Sequence, residues 1–237
     1  MNMTKSMIHF PLFIALLFSF YAMAVLAADS NISVKGYASI KGRPMDKDFK
    51  VSVLDSFQDV QQLFSEMRQD DRNHTQCFNR AHWWCYTMER DHGVKSMKIF
   101  LLFTKRFRKT LDPKWDFHVA PMVASYNEHG EIQEYVLDQT FMNNPLRREE
   151  WVRNFSEGKP CIEASTFPEG YAKDEQNWCY IIRVPMYYLA LNEIRKTDTG
   201  SKPAAIQWNK WELKKAEEAF GAHPILRRFG ILFNGIL

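Results

Sequence analysis

Between Lys98 and Leu137 three apolar runs follow one another so closely that they are best satisfied by a β-sheet. Lys98-Ile-Phe-Leu-Leu-Phe103 is apolar after its first residue, the pattern of a central strand buried on both faces. Phe117–Ser125 (FHVAPMVAS) and Ile132–Leu137 (IQEYVL) are strand-like too, and Tyr126-Asn-Glu-His-Gly130 between them has a hairpin-loop composition. If Asn127–Gly130 is the loop, Tyr126 pairs with Glu131 and His118 faces Gln139. A shift of one residue sets His118 opposite Asp138 instead. Either way an imidazole and a carboxylate lie within a step of each other on adjacent strands. There the acid can hold the ring's tautomer and orientation. Asp116 and Asp112 are weaker candidates for the same role.

Helix signals precede the strands. Ser56-Phe-Gln-Asp59 is a capping-box pattern, followed at helical spacing by Phe57, Val60, Leu63, Phe64 and Met67. After the polar run Gln69–Gln76 a second helix is expected from Cys77 to about Arg90. Phe78, Ala81, Cys85 and Met88 form its apolar stripe, Asn73 or Thr75 its cap, and Gly93 its stop. Cys77 then sits in the first helical turn, where free N–H groups and partial positive charge favour a thiolate. Its own N–H is a natural oxyanion donor, with a second donor from Gln76 or Asn73. A cysteine beside a phenylalanine is by itself more often a small buried hydrophobe. Thiol, imidazole and carboxylate in the order Cys77, His118, Asp138 change that reading. Such a set performs acyl transfer through a thioester.

The flanking sequence adds little chemistry. Asp29–Val53 reads as short strands at the edge of the catalytic domain, or as a pro-segment covering the site. Lys105-Arg-Phe-Arg-Lys109 reads as a solvated loop, or as a surface that steers an acidic protein substrate. Further on, Glu149–Phe155 suggests a short helix and Trp178–Val184 a strand ended by Pro185. Met186–Arg195 should pack on the core, and Gln207–Phe220 reads as a helix.

The first 28 residues have the form of a secretory signal: Lys5, an apolar run from Phe10 to Leu26, then small residues at Ala22, Ala24, Ala27 and Ala28. Cleavage after Ala27 is expected, an uncleaved membrane anchor being the alternative. Residues 29–237 are then read as one exported, periplasmic or extracellular catalytic domain without stable membrane association. The net charge of +3 is mild and mixed, which argues against nucleic acid as a partner. Export makes the four cysteines informative. Cys77 and Cys85, eight positions apart on one helix, stand about 12 Å from each other and cannot bridge. Cys161 and Cys179 flank a loop rich in Pro and Gly and are the preferred disulfide, leaving Cys85 a buried thiol. No phosphate loop, HExxH, CxxC or metal-ligand spacing is present in the sequence, so neither cofactor nor metal is expected.

CFNRAH at a helix start, FHVAPMV on a strand and YVLDQTF at a strand end resemble the protein-glutaminase (protein-glutamine deamidase) family of secreted bacterial enzymes. The likeness covers roughly 70–150. It implies an α+β fold similar to the papain and transglutaminase superfamily, with the nucleophile at a helix N-terminus packed on an antiparallel sheet. It also implies Cys77 as nucleophile, His118 as general base and acid, Asp138 as orienter, and hydrolysis of protein glutamine side chains to glutamate. Trp83-Trp84 after His82, and the short segment before the motif, depart from the pattern. A papain-like protease or a transglutaminase would use the same triad. A non-catalytic secreted binding protein would keep the fold with the triad broken or occluded.

Overall fold

The computed structural model describes residues 32–39, 49–67, 76–111, 115–189, 191 and 194–195. All of them belong to one compact unit that begins at Ile32. The leader, Asn73, Thr75, Asp112 and the helix expected over 207–220 lie outside the described residues.

An eight-stranded sheet forms the centre: β1 (Val34–Ser39), β2 (Lys50–Leu54), β3 (Met97–Phe103), β4 (Phe117–Tyr126), β5 (Ile132–Val136), β6 (Leu146–Arg147), β7 (Cys161–Glu163) and β8 (Cys179–Pro185). The main order is β1-β2-β4-β3-β8-β7, with β5 and β6 branching from β4. Most pairings are antiparallel; β2–β4 and β7–β8 are parallel. β1 ends the order, as expected of an edge strand. Around the sheet lie α1 (Phe57–Glu66), α2 (Cys77–His92), α3 (Lys105–Leu111) and α4 (Arg148–Phe155). This is the expected α+β arrangement, with Cys77 opening a helix beside a largely antiparallel sheet.

The apolar run at 98–103 is the central strand, and every residue of β3 is buried. Its side chains alternate between two cores. Met97, Ile99, Leu101 and Phe103 join the one that holds α1, while Phe100 and Leu102 join Val119, Ile182 and Val184 on the other face. Lys98 is enclosed with them. Its Nζ donates to His82 Nδ1 at 2.7 Å and to the Tyr188 carbonyl at 2.5 Å, tying α2 to the segment after β8. Burial, reinforced by the Lys98 ammonium, pushes His82 down to about 2 against a hydrogen bond with the Met186 backbone, so its ring is a neutral acceptor.

Local signals explain the helix ends. Ser56 caps α1 in a full capping box with Asp59, a device that contributes about 1 kcal/mol. Gly93 closes α2 with φ of 66°, a left-handed conformation that a side chain would strain. The N-cap of α2 is Gln76, not Asn73 or Thr75, and no side chain caps it. Met186, Tyr188 and Leu189 are buried, so the segment after β8 does pack on the core.

The basic cluster at 105–109 is a helix, α3, and not a loop. Lys105 and Lys109 both reach Glu175, at 2.6 and 3.1 Å. Arg108 pairs with Asp116 and donates to the Ala172 carbonyl at 2.6 Å. Arg106 donates to the Gln176 carbonyl and lies 4.0 Å from the centre of the Trp178 ring. These side chains fasten α3 to the 171–178 stretch. That stretch is held in turn by Asp174, which accepts from the Tyr180 hydroxyl at 2.5 Å and from Asn177 Nδ2 at 2.8 Å.

Candidate active site

The site forms where β4 is free of β5. β3 pairs with the first half of β4, setting His118 opposite Leu101, and β5 pairs only with Met122–Tyr126. The hairpin register differs from the expected one. Tyr126 pairs with Ile132, because the connection is a five-residue loop, Asn127–Glu131. Asn127 organises it: its backbone N–H donates to the Glu131 carbonyl at 2.8 Å, and its Oδ1 accepts from the N–H groups of His129 and Glu131, both at 2.9 Å. Gly130 completes the loop with φ of 75°.

Asp138 therefore does not face His118 across a ladder. The last bond of the hairpin is Leu137 N–H to the Pro121 carbonyl at 2.9 Å. The chain then turns, with the Asp138 carbonyl accepting from the N–H groups of Phe141 and Met142 at 3.0 and 2.9 Å. This turn swings the carboxylate across the vacant edge of β4, where Asp138 Oδ2 lies 2.7 Å from His118 Nε2. His118 is 1% exposed and Asp138 2%. The expected pair is thus brought together, by a turn instead of a register.

The other face of the imidazole pair belongs to α2. Cys77 is its first residue, half-buried, with a free thiol whose charge acts on His118. Since Nε2 is occupied by Asp138, Nδ1 is the ring atom left for the thiol. The N–H of Cys77 has no partner within its own helix, which leaves it available to an anion. Gln76 is exposed at the cap. Burial works against charge on His118, but the charge and hydrogen bond of Asp138, joined by those of Cys77, outweigh it and push His118 up to about 9. The ring is an imidazolium at neutral pH. Asp116 takes no part: it is exposed and paired with Arg108.

Aromatic rings enclose the imidazole. Phe155 lies 4.5 Å from its centre, Phe141 5.1 Å in an edge arrangement, and Trp115 and Trp151 each 5.6 Å in near-parallel stacking. Trp151 also donates Nε1–H to Asp138 Oδ2 at 3.0 Å. Sequence reading missed these side chains. Residues 115 and 118 share a turn of chain, but nothing local ties positions 141, 151 and 155 to His118.

Cys161 and Cys179 form a disulfide with Cα atoms 4.6 Å apart, as direct partners across β7 and β8. Cys85 is buried and free, its Sγ 3.6 Å from the Met97 carbonyl, and burial pushes its thiol up. No cluster of His, Cys, Asp or Glu among the described residues could hold a metal ion.

Residues 53–155 match the family model described as Glutaminase. That stretch is glutaminase-family sequence. It runs from β2 to the last residue of α4, and so contains Cys77, His118, Asp138 and the four enclosing rings. The disulfide lies beyond the glutaminase-family stretch. Among solved structures the chain is similar to the protein-glutaminase from Chryseobacterium proteolyticum, at 17% identity over 62% of this chain and 85% of that one, with a TM-score of 0.39. A crystal structure of protein-glutaminase is 15% identical over 68% of this chain and 98% of that one, with a TM-score of 0.39. A pro-protein-glutaminase is 14% identical over 76% and 66% respectively, also at 0.39. No curated protein matches the chain.

Proposed function

We propose that this chain is an exported cysteine amidohydrolase that deamidates glutamine side chains of proteins through a thioester. The observation that carries the reading is the buried His118–Asp138 pair at 2.7 Å together with Cys77, a half-buried free thiol at the first residue of α2 whose charge acts on His118. The glutaminase-family match over 53–155 supports glutamine as the amide.

Cys77, as thiolate beside imidazolium His118, attacks the carboxamide carbon and forms a C–S bond. The oxyanion is received by the Cys77 N–H at the start of α2, with Gln76 as the candidate second donor. His118 gives its proton to the departing nitrogen as the C–N bond breaks, and ammonia leaves. The neutral imidazole then takes a proton from water, the resulting oxygen nucleophile attacks the thioester, and glutamate departs as the thiolate is regenerated. Asp138 keeps the ring turned with Nδ1 toward sulfur throughout. Export is supported by the Cys161–Cys179 disulfide, which persists in an oxidising compartment. No described helix is long and apolar enough to cross a membrane.

Ammonia release from casein tests the assignment. The mature chain should release ammonia without cutting the substrate, and Cys77→Ala should release none. Peptide fragments would make it a protease, and incorporation of an added amine a transglutaminase. A Cys77 that is alkylated only on unfolding would leave a binding protein.

A further inference from the structure

Asp138 is gripped from two sides, and one of the grips comes from outside the three motifs. Its Oδ2 accepts both from His118 Nε2 at 2.7 Å and from Trp151 Nε1–H at 3.0 Å. Trp151 is contributed by α4, is fully buried, and stacks on the His118 ring with an interplanar angle of 25°. Phe155, one turn further on, lies 5.0 Å from the Trp151 ring and 4.5 Å from that of His118, so the indole is fixed against the site.

We propose that Trp151 is a positioning residue of the site: its N–H fixes the Asp138 carboxylate in place, and its ring fixes the plane of the imidazole. The proposal rests on the reading of Cys77, His118 and Asp138 as a catalytic set and deepens it. An aspartate at a turn has a short side chain that one hydrogen bond leaves free to rotate, and a second donor on the same oxygen removes that freedom. A buried carboxylate also needs donors in place of water. The groups whose charge acts on His118 are Asp138 and Cys77, from the turn after β5 and from α2. The indole N–H does not titrate, so it offers the same hydrogen bond at every pH at which the enzyme works.

An isostere separates the hydrogen bond from the packing. Benzothienylalanine at position 151 replaces the N–H by sulfur and keeps the shape of the ring. Trp151→Phe is made beside it, and both are compared with wild type on casein across pH. With the isostere, Tm should be unchanged and kcat should fall at least about tenfold with KM within about twofold. The acid limb of the profile should also be displaced, because the carboxylate has lost a hydrogen-bond donor. Trp151→Phe should show the same displacement with a lower Tm. An isostere with wild-type kcat and an unmoved acid limb would overturn the proposal and leave Trp151 as packing. Alkylation of Cys77 by iodoacetamide, followed by mass against pH, gives a reading that needs no turnover. If wild type releases no ammonia the functional assignment fails, yet a displaced acid limb for alkylation still supports the role of Trp151, and an unmoved one overturns it.

Discussion

At His118 two opposing effects meet, and their balance sets the working range of the site. Burial alone would leave the ring neutral at pH 7; Asp138 and Cys77 reverse that and carry it to about 9. Since the folded value lies above the ordinary 6.5, the imidazolium is present through neutrality and is lost as pH rises through about 9. Ammonia release should therefore fall on the alkaline side near pH 9. Asp138→Asn removes the group that outweighs burial. In that variant the alkaline limb should shift toward neutrality, and kcat should drop on the order of a thousandfold or more, measured as the pH dependence of ammonia release. The positions of the proposed set were legible in the sequence because each sits beside a strong local signal: Cys77 at a helix start, His118 on a strand and Asp138 past a strand end. Trp151 was not legible. Its tie to Asp138 spans 13 positions and depends on how α4 docks, which no periodicity encodes.

Helices and strands were legible where period and caps agree, as in α1 with its Ser56–Asp59 box and in β3 with its unbroken apolar run. The hairpin register was off by one residue. Loop length was inferred from composition, whereas the Asn127 side chain recruits Glu131 into the loop by hydrogen bonds to its own backbone. The basic run at 105–109 was misread for a different reason: its counter-charges, Asp116 and Glu175, lie up to 70 positions away, as does the Gln176 carbonyl that Arg106 reaches. With those cations engaged, α3 is a fastener and a poor lure for acidic proteins. The kcat/KM for casein should then change by less than about threefold between low salt and about 0.5 M, whereas an unpaired steering patch would lose far more. Initial rates at fixed pH across ionic strength decide it.

Across the whole unit, the glutaminase-family stretch is braced by sequence that lies beyond it. Arg183 on β8 and Arg148 on α4 share Glu134 and Glu163, at 2.8 and 3.2 Å for Glu134 and 2.7 and 3.2 Å for Glu163, and the disulfide joins β7 to β8 beside them. The members of the proposed active site do not share equally in this bracing. His118 sits within the ladder of the central pair β3–β4, with neighbours on both sides of it paired to β3. Asp138 stands just past the end of its own ladder, on a turn held by two backbone bonds, by Gln139 Nε2 donating to the Phe64 carbonyl at 2.8 Å, and by the bonds of its carboxylate to His118 and Trp151. Segments with fewer cooperative bonds open at lower free energy than the strands they adjoin. In a urea titration, ammonia release should consequently disappear at lower denaturant than the far-ultraviolet circular dichroism of the sheet, and coincident midpoints would contradict this. The enzyme should lose its chemistry before it loses its fold, and should recover it on dilution without refolding from the start.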